Sequence, residues 1–306
     1  MRLKNAALVS VVSNSTLVVF KVMAGTITGS VSIISEAIHS SIDLAAAIMA
    51  FFSIRQAGVP PDSDHPYGHG KIENLSAVAE AVLIIIAAVL IVLEAIDKIK
   101  TGVRLNMPGV AIAVMGVSVV VNFFTSRYLF KVARQTDSPA LEADAKHLSA
   151  DIYSSLTVFA ALVLIALTGR HIIDPIAAVS VSLLIFYEGV MITKKSIGAL
   201  LDNSLPEEEV TSIKKILDSK SDYIKDYHEL RTRKAGSERH IDLHLTVCAN
   251  ETIAKTHTTM DIIEGSISKE LNNCKVVIHP EPCTIMTDMC PGECGWNKDN
   301  GGKTRG

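Results

Sequence analysis

The chain has 306 residues, of which 48% are hydrophobic and 20% are charged, and its formal net charge is −3 at pH 7. Its mean hydropathy of +0.33 is higher than an ordinary soluble protein would show. The weak negative charge supplies no basic surface for a phosphate backbone, and no stretch interleaves Lys or Arg with aromatic residues, which argues against nucleic-acid binding.

The first two thirds of the chain are strongly apolar. A hydrocarbon core about 30 Å thick needs roughly 20 predominantly apolar residues per helix. Six segments satisfy this requirement: 6–26, 31–55, 74–97, 107–130, 147–168 and 171–192. The first follows a positively charged start, as in a signal peptide, but Ser13, Asn14 and Ser15 interrupt it and no A-x-A site follows. We therefore predict a six-helix transmembrane domain over residues 1–202.

The distribution of Lys and Arg in the short loops predicts the orientation of these helices. With the N-terminus inside, the cytoplasmic segments hold Arg2, Lys4, Arg55, Lys71, Arg127, Lys131, Arg134, Lys146, Lys194 and Lys195, and the outer segments hold Lys98, Lys100, Arg104 and Arg170. Ten cations against four predict a multi-pass protein of the plasma membrane with both termini in the cytoplasm.

Residues 203–287 have the composition of a small soluble domain. Helical patterns in "PEEEVTSIKKILDSK" and "IAKTHTTMDIIEGSISKEL" alternate with strand-like patterns in "YHELRTRKAG", "RHIDLHLTV" and "KVVIHP". This order predicts an α-β-β-α-β sandwich of the α+β class. All five cysteines lie from Cys248 onward, and their odd number favours reduced thiols in the cytoplasm. The Cys-containing tail, residues 288–306, is predicted to be disordered.

A repeated spacing of His and Asp marks the candidate site. His39 and Asp43 lie four residues apart in "SEAIHSSIDLAAA", and His147 and Asp151 repeat the spacing in "KHLSADIYSS". Residues i and i+4 share one helix face. Ionisable side chains in membrane helices cost on the order of a few kcal/mol each, and they persist where they pair, line a wet cavity or bind an ion. Two imidazoles and two carboxylates suit tetrahedral Zn²⁺ and disfavour the hard ions Mg²⁺ and Mn²⁺.

Under the six-helix topology the second and fifth helices run in opposite directions, so the two pairs face each other as an inverted repeat near the midplane. The alternative is that each pair only hydrogen-bonds helices together, or that His39 and Asp151 form a structural ion pair. A single HxxxD would favour that alternative, whereas two copies on separate helices favour a metal site. Because His147 begins its apolar segment, a site near mid-membrane requires a helix that starts earlier.

Several motifs in order resemble the cation diffusion facilitator family of divalent-metal transporters. The segment "GSVSIISEAIHSSIDLAAA" is similar to the second-helix signature of that family, and "HLSADIYSS" to its fifth-helix counterpart. The loop "DSDHPYGHGKIE" and the segments "HELRTRKAG" and "VVIHPEPC" are also similar, so that the resemblance extends from about residue 5 to 284. The chain departs from the family pattern in having Glu36 where many members carry Asp.

The resemblance implies a homodimer in the lipid bilayer, with cytoplasmic ferredoxin-like domains, that exchanges Zn²⁺ or a similar ion for protons. It also implies two further metal sites. The first comprises Asp62, His65 and His69 in the loop after the second helix, in a regulatory or delivery role. The second comprises His228, His244, His257, His279 and Glu281, at positions where family members bind metal across the dimer interface. Glu281 replaces the usual aspartate.

Other readings of the sequence remain open. An intramembrane metal enzyme would need an open metal position and a general base, and no HExxH, GxSxG or P-loop motif occurs. A membrane metal sensor would not need two matched HxxxD pairs, and the cargo of a transporter could be Cd²⁺, Co²⁺ or Fe²⁺. Lys21, Glu80 and Glu94 lie in apolar helices and could be proton or salt-bridge groups. Lys21 and Glu94 lie near helix ends and are expected instead to extend to the membrane interface. Cys290 and Cys294 supply only half of a soft-metal site.

Overall fold

The structure is a computed structural model that describes residues 2–28, 31–101, 109–168, 173–220 and 224–283. The chain divides into two compact units, Met1–Leu201 and Asp202–Gly306. The tail predicted to be disordered lies outside the described residues, as do Cys290 and Cys294.

The first unit is a bundle of six long helices. They are α1 (Arg2–Thr28), α2 (Val31–Ala57), α3 (Lys71–Thr101), α4 (Gly109–Thr136), α5 (Pro139–Thr168) and α6 (Ile173–Leu200). All six predicted helices are therefore present. Within the described residues, five of them, α1 to α4 and α6, are long and apolar enough to cross a membrane. The exception is α5, which is 30 residues long and has a polar first half containing the His147 and Asp151 pair.

The helices pack mainly as the pairs α3 with α6, α1 with α2 and α4 with α5, and α5 also contacts α2, α3 and α6. Small residues allow these close approaches, as expected where lipid supplies no hydrophobic driving force between helices. Ala77 and Ala81 of α3 are fully buried beside Ile185 and Ile192 of α6. On α6, Gly189 lies so close to α3 that an added Cβ would be 2.7 Å from Cγ1 of Ile85. The position of α5 in the middle of the bundle brings its polar first half against several neighbours.

The start of α5 differs from the prediction. The apolar pattern placed it at His147, but the helix begins at Pro139, more than two turns earlier. The Ser138 hydroxyl accepts a hydrogen bond from the Leu141 amide at 3.3 Å and donates one to the Glu73 carboxylate. Ser before Pro is a strong start signal for a helix, and it outweighs the charged residues that interrupt the apolar pattern. His147 is therefore well inside the helix, as a site near mid-membrane requires.

The second unit contains α7 (Glu207–Asp218), β1 (Asp226–Ala235), β2 (Glu238–Val247), α8 (Ile253–Glu270) and β3 (Cys274–Pro282). This is the predicted α-β-β-α-β order. The sheet order is β1-β2-β3, with β1 and β2 antiparallel and β2 and β3 parallel.

The core of the second unit explains why these segments take this arrangement. Strand β2 buries Ile241, Leu243 and Leu245 completely or almost completely, every second residue, as predicted from the alternation. These residues pack with Ile213 of α7 and Ile263 of α8 in one hydrophobic cluster. The opposite side chains of the central strand are therefore free to carry polar chemistry.

Candidate metal centre

The two HxxxD pairs meet between α2 and α5. The side-chain ligand atoms of His39, Asp43 and Asp151 all lie within 4.8 Å of one another. His39 Nε2 is 3.9 Å from Asp43 Oδ1 and 3.9 Å from Asp151 Oδ1. His147 Nε2 joins the group through a 3.1 Å hydrogen bond with Asp43 Oδ1. Four side chains from two helices thus converge on one point.

The contacts also give the relative direction of the two helices. His39 contacts Asp151, whereas Asp43, one turn later on α2, contacts His147, one turn earlier on α5. The order of residues along one helix is therefore reversed along the other, and the two helices run in opposite directions here. Each helix supplies one imidazole and one carboxylate from neighbouring turns of a single face.

The four side chains differ in their exposure. Asp43 and His147 are each 6% exposed, Asp151 is 21% exposed and His39 is 50% exposed. The cluster is therefore buried at its Asp43 and His147 end and exposed at its His39 end. His147 Nδ1 is buried, and in the described part of the chain no group hydrogen-bonds to it.

The donor set and its spacing fit a tetrahedral ion. Two donors that are each 2.0–2.1 Å from a tetrahedral Zn²⁺ are about 3.3 Å apart. The ligand separations of 3.1 and 3.9 Å lie on either side of this value. Small side-chain rotations would close the cluster around one cation. The two carboxylates would neutralise the charge of a divalent ion.

Lys21 lies near this cluster and was assigned wrongly from the sequence. We expected its ammonium group to extend to the membrane interface, but Lys21 is buried and donates a 2.8 Å hydrogen bond to the hydroxyl of Ser40, next to His39 in the chain. A polar acceptor inside the bundle removes the need to extend outward. The side chains of Glu36 and Glu94, which the sequence also singled out, lie outside the described residues.

The loop between α2 and α3 brings its three predicted ligands together. Asp62 Oδ1 is 3.4 Å from His65 Nδ1, and Asp62 Oδ2 is 3.3 Å from His69 Nε2. The Asp62 carboxylate also accepts the backbone amides of His65 at 2.7 Å and Asp64 at 3.1 Å. These amides, that of His65 first, lower the pKa of the Asp62 carboxyl and keep it ionised. The turn closes at Gly68, where φ is +85°.

A third cluster lies on the polar face of the sheet in the second unit. The Glu281 carboxylate on β3 is 2.9 Å from His244 Nδ1 on β2 and 3.3 Å from His228 Nε2 on β1. His279 Nε2 is 4.0 Å from the same carboxylate. Cross-strand register produces this arrangement, because His228 is paired with His244 and His244 with His279.

One predicted ligand of that cluster lies elsewhere, and one neighbour was not predicted. His257, on α8, forms an exposed 3.1 Å pair with Asp261 and is not part of the group. Glu229 was not singled out from the sequence, yet its carboxylate is 3.7 Å from His244 Nε2. Glu229 has a φ of +47° at a register shift in β1, and an irregularity of this kind leaves no clear sequence signal.

Comparisons with known proteins agree with this architecture. The family model for the cation efflux transmembrane domain matches residues 7–201, and that for the cytoplasmic domain of cation efflux proteins matches residues 205–283. The cation-efflux pump FieF of Citrobacter koseri is 31% identical over 281 residues, which cover 92% of this chain and 93% of that protein. An uncharacterised transporter of Synechocystis sp. is 32% identical over 262 residues, covering 86% of this chain and 84% of that protein.

Among solved structures, CzrB in its zinc form matches 26% of this chain and 92% of its own, with 29% identity and a TM-score of 0.26.

The helical bundle and the two matched domains define a multi-pass membrane protein that moves cations and is not an enzyme. The chain belongs to the cation diffusion facilitator family of cation-efflux transporters.

Proposed function

We propose that this protein exports Zn²⁺ from the cytoplasm in exchange for protons, and that His39, Asp43, His147 and Asp151 bind the transported ion. The convergence of the ligand atoms of His39, Asp43 and Asp151 within 4.8 Å, with His147 bonded to Asp43, carries this proposal. Imidazole ligands favour Zn²⁺ over Mg²⁺ and Mn²⁺. Cd²⁺, Co²⁺ and Fe²⁺ accept the same ligands and are the alternative cargoes.

Proton exchange follows from the acid chemistry of the ligands. Histidine binds a metal only when its imidazole is neutral, and the unperturbed pKa of a histidine is about 6.5. Metal and protons therefore compete for one set of side chains. Movement of α2 and α5 that opens the cluster alternately to either side would convert this competition into antiport, in which inward protons drive the metal out.

The orientation and assembly form part of the same proposal. Residues 1–202 form the transport domain, residues 203–287 form a cytoplasmic regulatory domain, and both termini lie in the cytoplasm of a plasma-membrane homodimer. The match of residues 205–283 to a cytoplasmic domain supports this placement. The excess of positive charge in the loops assigned to the inside supports it as well.

Zinc flux in proteoliposomes tests the transport site. We expect Asp151→Ala to lower zinc flux at least about tenfold, because the change removes a ligand and half of the negative charge around the ion. An imposed pH gradient should drive the flux of the parent protein. Correct folding of the variant is checked by its elution volume and thermal midpoint in detergent. Unchanged flux in Asp151→Ala would move the transport path elsewhere, and flux that ignores the gradient would contradict proton exchange.

The other two clusters are proposed to be regulatory or delivery sites. The Asp62, His65 and His69 cluster would hold an ion in the loop, and the Glu281 cluster would hold one in the cytoplasmic domain. His257 is proposed to complete the cytoplasmic site from the partner subunit, because it does not reach the Glu281 cluster within its own chain.

Zinc binding at the cytoplasmic site is tested in full-length protein that carries Asp151→Ala, so that the proposed transport site contributes less to the zinc effect. We expect the further change Glu281→Gln to remove the stabilisation that zinc provides through this site. For a site binding only the folded state, that stabilisation is about 2.7 kcal/mol at 100 times the dissociation constant. Thermal unfolding with and without zinc measures it, and Glu270→Gln, at the end of α8, is the matched control. An equal zinc effect in both variants would contradict a metal-binding role for Glu281.

A further inference from the structure

Two carboxylic acids lie buried in the transmembrane unit apart from the four proposed ligands. Glu80 on α3 has no solvent exposure, and Asp144 on α5 is 1% exposed. Glu80 Oε2 and Asp144 Oδ2 are buried atoms that no described group hydrogen-bonds. The two carboxyls interact electrostatically as like charges when ionised. Neither contributes to the metal cluster between α2 and α5.

Within the described residues, the groups that interact with Glu80 are a carboxyl and a hydroxyl, and neither balances a negative charge. On α3, the Ser76 hydroxyl donates a 3.5 Å hydrogen bond to Glu80 Oε1. On α5, Asp144 interacts electrostatically with Glu80. The neighbouring core residues include Ala77 and Ile84 of α3 and Ile185 of α6, all of them apolar. In the described part of the chain, no charged group of α2 or α6 interacts with Glu80.

Asp144 is placed differently, because it connects Glu80 to the metal cluster. Asp144 lies three residues before His147 on α5, so the two side chains share one helix face, and the neighbouring Ala143 packs in one cluster with Ala77 and Ala81 of α3. His147 in turn bonds Asp43. A series of ionisable groups therefore leads from the metal ligands through Asp144 to Glu80.

Two adjacent carboxylates in an apolar core cannot both be ionised without a cation. Asp144 shares a helix face with the His147 imidazole. Within the described residues, Glu80 is bonded by the Ser76 hydroxyl alone and its Oε2 has no partner, so Glu80 is the better placed of the two to hold a proton. A divalent ion held by Asp43 and His147 adds positive charge near this pair and favours the ionised form of both carboxyls. Buried acids in transporters serve as proton carriers for this reason.

We infer that Glu80 carries a proton which the transporter exchanges against its metal, in addition to any proton displaced from the ligands. This inference rests on the proposed zinc and proton exchange. When the metal binds, the O–H bond of the Glu80 carboxyl breaks, the electron pair stays on oxygen, and the proton passes to water on the side from which the metal entered. When the metal leaves on the other side, Glu80 takes up a proton from water there.

Proton counting on purified full-length protein tests this inference. Zinc is titrated to saturation into weakly buffered protein, and the protons released per chain are measured. We expect Glu80→Gln, which keeps the shape of the side chain and cannot release a proton, to bind zinc and to release about one proton fewer per chain. Glu188→Gln is the matched control, because Glu188 is half exposed and paired with Lys146, and it should release as many protons as the parent. An equal proton count for the parent and Glu80→Gln would overturn the inference.

A spectroscopic measurement on the parent protein keeps the test independent of how the variant folds. Zinc binding should remove the infrared carbonyl band of a protonated carboxylic acid, and Glu80→Asp should shift this band without abolishing it. No loss of a protonated-acid band in the parent would overturn the inference. Failure of the proposed function is distinguishable, since zinc binding and zinc flux would then be the same in the parent and in Asp151→Ala.

Discussion

Replacement of Asp43 by asparagine should abolish zinc transport and weaken zinc binding by roughly 100-fold or more, because a direct ligand contributes more than the outer groups whose loss costs 10- to 100-fold. Asp43 is the central member of the cluster. Its Oδ1 is 3.1 Å from His147 Nε2 and 3.9 Å from His39 Nε2. It is also the more buried of the two carboxylates, with 6% exposure against 21% for Asp151. The amide has nearly the same shape but no charge to offset that of the ion.

Zinc flux in proteoliposomes and zinc affinity in detergent measure this effect. The matched control is Asp137→Asn between α4 and α5, where φ is +54° and asparagine is accommodated as readily as aspartate. The control should transport zinc at the parental rate. If Asp43→Asn retained parental affinity and flux while Asp151→Ala lost them, the ion would be held by Asp151 and partners other than Asp43, and the four-residue site would be wrong.

The sequence predicted which side chains form the transmembrane cluster because helical spacing puts His39 and Asp43 on one face of α2, and His147 and Asp151 on one face of α5. The meeting of the two faces required the topology, and the contacts of His39 with Asp151 and of Asp43 with His147 agree with the opposite helix directions expected from it. Spacing within one helix could not predict that Lys21 is buried, because its hydrogen-bond acceptor, Ser40, lies on a different helix.

In the cytoplasmic domain, too, a pattern within one strand could be predicted from the sequence, whereas contacts between strands could not. The period of two in β2 predicted which residues are buried, since alternate side chains point to opposite faces of a sheet. The cluster of His228, His244 and Glu281 depends on strand register, which the resemblance to a family implied and the alternation could not give. The irregularity of β1 at Glu229 comes from pairing between strands, and no local sequence pattern predicts it.

Replacement of Gly189 by valine should destabilise the transmembrane unit by about 3 kcal/mol, at the upper end of the usual cost of overpacking. A Cβ at this position would lie 2.7 Å from Ile85 Cγ1, 3.3 Å from the carbonyl oxygen of Ala81 and 3.3 Å from Ile84 Cγ2. The Ala81 oxygen belongs to the backbone of α3, and Cγ1 of Ile85 is held close to its own helix, so neither can move aside cheaply. Relief requires α3 and α6 to separate.

Helix separation would act on more than stability, because α3 carries Glu80 and both helices contact α5, which carries His147 and Asp151. Gly116→Val on α4 is the matched control, since it makes the same chemical change at a position where an added Cβ has no neighbouring atom within 4 Å. The thermal midpoint in detergent should fall for Gly189→Val and stay near the parental value for Gly116→Val. Equal midpoints for the two variants would contradict the close α3–α6 approach, because both share any change in helix propensity and differ only in the atoms that the new side chain meets.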